Sequence, residues 1–287
     1  MASMMSMDEL IALHVAGLAP NTRKYCRSHL ADWLRWCHEN LIDPWKVGHE
    51  HIELYGRWLR ETMGYSVDTQ YGAMGIVSRL YTDAYHRGLI DRDPAPLVRR
   101  PRRRTHSEGT WLDRDQASTL LDAAEQDQDP RLGALICLLL LNGLRISEAL
   151  GLDIEDYKHG DPPILHLHRK GGWEQNVAIS PRTAHALDRL IGRRRSGPIF
   201  LGRKGDRLTH RCMMSIFDAL TGPLGLNRIT PHSLRRTFAT LSREAGVPDQ
   251  DIMAAGGWAH KQMLDYYDMT HRAVQGKATN TLSQYLA

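Results

Sequence analysis

ILHLHRKGGWEQNVAI, residues 164–179, is where the chain changes period. Ile164 to Arg169 alternates apolar and polar side chains, Lys170-Gly171-Gly172 supplies a turn, and Gln175 to Ile179 alternates again, so the stretch predicts a β-hairpin. Everything around it reads as helix. Downstream, helical patterns cover residues 182–195, 209–220 and 231–245, and a last group runs from Asp249 towards the C-terminus. Upstream, Asp113 and Gln116 have capping-box spacing ahead of an apolar helix at 117–124. Residues 131–141 are apolar enough to be buried nearly all round before Asn142-Gly143 stops them. The predicted fold class is mainly α with a small β hairpin or sheet, that is, α+β.

A separate helical unit precedes this domain. Residues 21–40 place Tyr25, Leu30, Trp33, Leu34 and Cys37 on one stripe; residues 51–63 do the same for Ile52, Leu54, Tyr55, Trp58 and Leu59. Ser66 caps a third helix carrying Tyr71, Met74, Val77, Leu80, Tyr81 and Tyr85 up to Gly88, and a short opening helix spans 9–15, which makes a four-helix unit. Pro94, Pro96 and Pro101 then force an extended, stiff connector. Arg99, Arg100, Arg102, Arg103 and Arg104 line it, either as a solvated linker or as one that tracks phosphates. The expected organisation is a helical domain over 1–95, a linker over 96–108 and a second domain over 109–287.

Composition narrows the classes. A hydrophobic fraction of 42% and a charged fraction of 24% across 287 residues are those of folded globular chains, not of disordered or fibrous ones. The apolar run Leu135 to Leu141 is too short to span a bilayer and the Met-rich start lacks the layout of a signal peptide, so a cytoplasmic protein is expected. Four scattered cysteines form no disulfide framework. Cys26, His29, Cys37 and His38 are possible zinc ligands, but they fall on one predicted helix with no loop to converge them, and no metal is expected there. A pI near 8.9 and the excess of arginine over lysine favour a phosphate-rich partner.

Three segments crowd polar groups into well-patterned structure. In Asn142-Gly-Leu-Arg-Ile-Ser-Glu-Ala-Leu150, Arg145 follows the glycine that ends a buried helix; it either faces a cleft or pairs with Glu148 or Asp153. In Pro231-His-Ser-Leu-Arg-Arg-Thr-Phe-Ala-Thr240, Thr230 is placed to cap and Pro231 to start a helix, so His232 and Arg235 lie one turn apart near an N-terminus that favours anions. In Gly256-Gly-Trp-Ala-His-Lys-Gln-Met-Leu-Asp-Tyr-Tyr-Asp268, two glycines allow close backbone approach, and Trp258 is followed by the pair Tyr266 and Tyr267.

Together, Arg145, Lys170, His232, Arg235, Trp258 and Tyr267 resemble, in order and spacing, the active-site set of the tyrosine recombinases of the phage-integrase type. The resemblance is carried by NGLRISEALGLDIED (142–156), HSLRRTFATL (232–241) and the nine-residue step from Trp258 to Tyr267, and is looser at Lys170. It implies a core-binding, SAM-like DNA-binding domain and a catalytic domain clamping duplex DNA at core-type recombination sites, with no cofactor, metal or ATP. By the same resemblance Arg145 and Arg235 grip the scissile phosphate, with Glu148 in support, and Tyr267 attacks it. His232 accepts the tyrosine proton, Lys170 protonates the leaving 5′ oxygen, and Trp258 donates one hydrogen bond and packs the site. The expected product is a 3′-phosphotyrosine, with exchange through a Holliday junction in a DNA-bound homotetramer of chains that are monomeric when free, and the tail from His271 to Ala287 docking onto a neighbour. Because the four-helix unit begins almost at residue 1, a short integrase without an arm-binding domain is expected; integration, excision and chromosome-dimer resolution stay open, with the overall resemblance favouring integration. A type IB topoisomerase and a DNA-binding protein without catalysis remain the alternatives.

Overall fold

The structure is a computed structural model and describes residues 5–102, 110–169, 171–226, 229–265 and 283–286. The chain divides into two compact units, Met1–Thr105 and His106–Ala287.

Among the described residues of the first unit, four α-helices follow one another: α1 (Met7–Val15), α2 (Pro20–Glu39), α3 (His49–Glu61) and α4 (Val67–His86). Their starts are chemically specified. The Ser6 hydroxyl accepts from the Glu9 amide while the Glu9 carboxylate accepts from the Ser6 N–H at 2.7 Å, and Ser66 caps α4 through the Thr69 amide. On α2, Cys26, Leu30, Trp33 and Cys37 recur at the spacing of one helical face and are all buried. Trp33 forms the centre of this core, stacked on Trp36 and edge-on to Tyr55. Its indole N–H donates to the Tyr81 hydroxyl at 3.0 Å, and that hydroxyl donates to the Pro44 carbonyl at 2.9 Å, so both rings are buried with their polar ends satisfied.

Three residues assigned to the apolar stripes are exposed instead: Tyr25, Leu54 and Tyr85. Tyr25 and Leu54 are each rotated off the buried face by one or two residues, the faces being Cys26–Leu30–Trp33 and Ile52–Tyr55–Leu59. In the last turn of α4, Ala84 takes the buried position in place of Tyr85. Because α2 runs unbroken, Cys26 and Cys37 stand about 16 Å apart along its axis and cannot share one ion.

The second unit contains α5 (Arg114–Gln126), α6 (Pro130–Leu140), α7 (Ile146–Gly151), β1 (Tyr157–Lys158), β2 (Ile164–His168), β3 (Glu174–Ala178), α8 (Pro181–Ile191), α9 (His210–Thr221), α10 (Pro231–Glu244) and α11 (Asp249–Gly256). Its core is built around α6, in which every residue from Leu132 to Leu140 is buried. Asp113 and Gln116 make the reciprocal capping bonds of α5, at 2.8 and 3.2 Å. The sheet is antiparallel in the order β1-β2-β3, with Leu165 paired to Val177 and His168 to Glu174. Leu165 and Leu167 face the core while His166 and His168 face outward. Strand β1, two residues long, is too short to leave a period in the sequence. Helix α8 ends at Ile191 rather than 195, because Gly192 adopts a positive φ of 59° and turns the chain. Among the described residues no helix is long and apolar enough to cross a membrane.

Candidate functional site

The site is assembled where the corner after α6 meets the start of α10 and the end of α11. Gly143 adopts φ 61°, and a Cβ on it would drive into the Phe238 ring. This reversal delivers Arg145, in extended conformation, to the N-terminus of α7. Gly143→Ala is therefore expected to destabilise the protein by about 1–3 kcal/mol through left-handed strain, read as a lowered midpoint in urea unfolding.

Arg145 is bonded to Glu148 twice: its amide donates to Oε2 at 2.8 Å and its Nη1 to Oε1 at 2.6 Å. Its Nη2 reaches the Gly257 carbonyl at 3.4 Å. The pairing with Glu148 and the cleft position hold at once, since Arg145 also borders a 370 Å³ cavity with Trp173, Met253, Gly257 and Trp258. Asp153 takes a different partner, Arg207.

Behind Arg145 lies a side chain to which the sequence reading gave no role. Arg169 is buried, donating from Nη1 to Glu148 Oε2 at 3.0 Å and to the Gly256 carbonyl at 3.2 Å, and from Nη2 to the Ala255 carbonyl at 2.7 Å. Burial pulls its pKa down and Glu148 opposes that pull. Gly257, at φ 66°, makes room for it: a Cβ there would lie 2.8 Å from the guanidinium carbon. The signal was present in the strand, where alternation places Arg169 on the same inward side as Leu165 and Leu167, and a cation there requires a built partner.

Helix α10 begins as its sequence predicts, with the Thr230 hydroxyl accepting from the Ser233 amide and Pro231 at the first position. Arg235 is buried; its Nη1 donates to the Gly143 carbonyl, and its guanidinium carbon sits 4.0 Å from the centre of the Trp258 ring. Trp258 in turn stacks on Phe238 with planes 8° apart. Trp258 thus serves as a platform that holds Arg235 by cation–π attraction. His232 is solvent-exposed at the start of α10. Its pKa is nevertheless lowered from 6.5, first by desolvation and then by the charges of Arg236, Arg235 and Arg145, which keeps the ring neutral near pH 7. Arg236, also passed over in the sequence, is buried and reaches the Thr110 carbonyl.

The structure therefore brings Arg145, Glu148, His232, Arg235 and Trp258 together. Lys170, Tyr266, Tyr267 and the tail from 271 to 282 lie outside the described residues, as do Arg103 and Arg104. In the first unit, Arg99 is exposed with its amide bonded to Glu53, Arg100 folds back over the Tyr71 ring at 5.6 Å, and Arg102 is exposed. Two guanidiniums and a neutral imidazole beside a helix N-terminus can bind a tetrahedral anion and accept a proton next to it.

The family model for the phage integrase family matches residues 110–273, more than half of the chain and a span that contains all of these second-unit side chains. The chain belongs to the phage integrase family. Among curated tyrosine recombinases, this integrase-family chain is 30% identical over 279 residues to XerD of Mycobacterium tuberculosis, covering 88% of each. It is 29% identical over 217 residues to XerC of Pelobacter propionicus, covering 69% of this chain and 71% of that one. Its fold matches a lambda integrase dimer bound to a core site with a TM-score of 0.73 at 16% identity, covering 92% of this chain and 95% of that one. The integrase of transposon Tn1549 in complex with circular intermediate DNA matches with a TM-score of 0.70 at 19% identity, with the same coverages.

Proposed function

We propose that this chain is a site-specific DNA recombinase that cleaves and rejoins strands at core-type sites in duplex DNA through Tyr267. The observation that carries the reading is the convergence of Arg145 and Arg235, each anchored on backbone, beside a histidine kept neutral at the start of α10. In this reading both guanidiniums neutralise the non-bridging oxygens of the scissile phosphate, and removing either costs on the order of a hundredfold or more in rate. The Tyr267 oxygen attacks phosphorus while His232 accepts its proton. The bond to the 5′ oxygen breaks as Lys170 protonates that oxygen, leaving a 3′-phosphotyrosine and a free 5′ hydroxyl. Attack by a 5′ hydroxyl from a second duplex reverses the sequence and joins the strands, so no cofactor is consumed. Two such rounds pass through a Holliday junction and use four sites, hence a homotetramer on DNA. The unit Met1–Thr105 and the arginines Arg99, Arg100, Arg102, Arg103 and Arg104 hold the duplex backbone.

The test is a duplex selected for binding from a random pool, nicked next to the candidate cleavage position and resolved on a denaturing gel. A covalent protein–DNA adduct supports the proposal. Binding without an adduct leaves a DNA-binding protein, and relaxation of supercoils without recombinant products leaves a topoisomerase.

His232 gives the reaction a pH signature. Its lowered pKa means that the base is present above pH 6.5 and is lost as pH falls through the depressed value, so the acid limb of the cleavage rate is expected below pH 6.5. The unfolded chain takes up the proton first, so any stability tied to this group is complete above 6.5 and declines below it. Single-turnover cleavage by His232→Gln is expected to be about 10²-fold slower with that limb absent; a limb that persists assigns it to another group.

A further inference from the structure

The outward face of the hairpin carries a second constellation that the reaction does not use. The geometry points to a binding site for one divalent transition metal ion of the zinc, nickel or copper type, held by His166, His168 and Glu174.

The strand register creates it. His166 and His168 are two apart on β2 and project to the same side, and Glu174 on β3 is the direct partner of His168. One Glu174 oxygen lies 3.3 Å from His166 Nε2 and the other 3.3 Å from His168 Nδ1. The three ligand atoms lie within 4.8 Å of one another. A tetrahedral ion with bonds of ~2.0–2.1 Å spaces its ligand atoms about 3.3–3.4 Å apart, so an ion can enter with little movement of the side chains.

The groups behind the imidazoles strengthen the assignment. Asn176 Oδ1, which can only accept, lies 2.9 Å from His166 Nδ1, so that nitrogen carries the hydrogen. This leaves Nε2, on the Glu174 side of the ring, as the ligating nitrogen. Behind His168 the nearest carboxylate is Asp156, whose Oδ1 lies 3.7 Å from Nε2, the nitrogen turned away from the proposed ion, as an ion-pair contact longer than a hydrogen bond. The His166 ring is therefore backed by a hydrogen-bonded acceptor on its other nitrogen, as in oriented histidine–metal sites. Two imidazoles with one carboxylate suit late first-row metals, whereas magnesium and calcium take oxygen sets. Occupancy would tie β2 to β3 immediately before the turn, on the face opposite Leu165, Leu167 and Arg169.

The experiment is zinc titration of the full chain, stripped with chelator, followed by calorimetry, and cobalt titration followed by visible absorption. One equivalent is expected to bind the wild type. His166→Ala/His168→Ala is expected to abolish this binding, and Glu174→Gln to weaken it at least tenfold. Asn176→Ala, which leaves every ligand in place, is expected to weaken it about 10- to 100-fold. His185→Ala, an exposed histidine on α8, is expected to bind as wild type. Far-UV circular dichroism checks that the variants fold, and Glu174→Gln and Asn176→Ala keep the test decisive if the double variant does not. Absence of binding by the wild type at millimolar zinc, or undiminished binding in Glu174→Gln and Asn176→Ala, overturns the proposal.

Discussion

Replacing Tyr267 with phenylalanine is expected to abolish the covalent protein–DNA adduct, a loss of the order of 10⁴-fold or more, while Tyr266→Phe retains it. Phenylalanine keeps the ring and removes only the oxygen that attacks phosphorus, and deleting a nucleophile from a concerted set typically costs most of its catalysis. Two adjacent tyrosines make the choice a matter of register. The nine-residue step from Trp258 selects Tyr267, and since both tyrosines lie outside the described residues the assignment rests on that spacing. Both variants are expected to bind the duplex as the wild type does, because phosphate contacts elsewhere carry affinity. An adduct that survives in Tyr267→Phe and disappears in Tyr266→Phe would reassign the nucleophile, and one that survives in both would remove tyrosine attack at this pair.

The second large effect is expected at Glu148. Its side chain is only 3% exposed and that of Arg169 is fully buried, so Glu148→Ala leaves a buried guanidinium with carbonyls alone and takes both bonds from Arg145. Removing one partner of a buried pair costs about 3–5 kcal/mol. For a unit of this size each kcal/mol is worth roughly 2–4 °C, so the midpoint of thermal unfolding is expected to fall by about 10 °C, as read by calorimetry. Cleavage is expected to slow by about 10²-fold beyond the effect of unfolding, since Arg145 loses the groups that aim it. The double variant Glu148→Ala/Arg169→Met separates the two consequences: it is expected to regain much of the stability and little of the rate. Recovery of both would show that Glu148 acts on the fold alone.

How much of this could be read beforehand depends on the range of the interaction. Helix starts at Ser66, Asp113 and Thr230 follow from bonds spanning three residues, and the sequence states them outright. The β2–β3 hairpin was legible because its period of two interrupts a helical chain. Gly143 places Arg145 at its corner, and the sequence allows it either to face a cleft or to pair with Glu148; the fold does both. Arg169 and Arg236 escape because most of their partners are remote in sequence: besides Gln175, six positions on, Arg169 bonds residues 21, 86 and 87 positions away, and Arg236 one 126 away. Local pattern marks such a residue as inward-facing and cannot name what awaits it. Tyr25, Leu54 and Tyr85 show the reverse limit, since an apolar residue a turn or a step from the buried stripe is indistinguishable by composition from a member of it.

The pairing of Arg145 and Arg169 with one shared carboxylate has a consequence for how the site acts at a distance. Two permanent cations meet a single anion at Glu148, and other bonds go to the carbonyls of Gly257, Gly256 and Ala255 and to the Gln175 side-chain oxygen, whose dipoles orient the guanidiniums without cancelling their charge. With the carboxylate ionised one positive charge is left over, and the two guanidiniums that supply it do not titrate in the working range. It projects an attractive potential over a screening length of about 8–10 Å at ordinary ionic strength. An approaching polyanion is thus drawn towards this corner with a pull set by salt, and the two guanidiniums' share of it does not vary with pH.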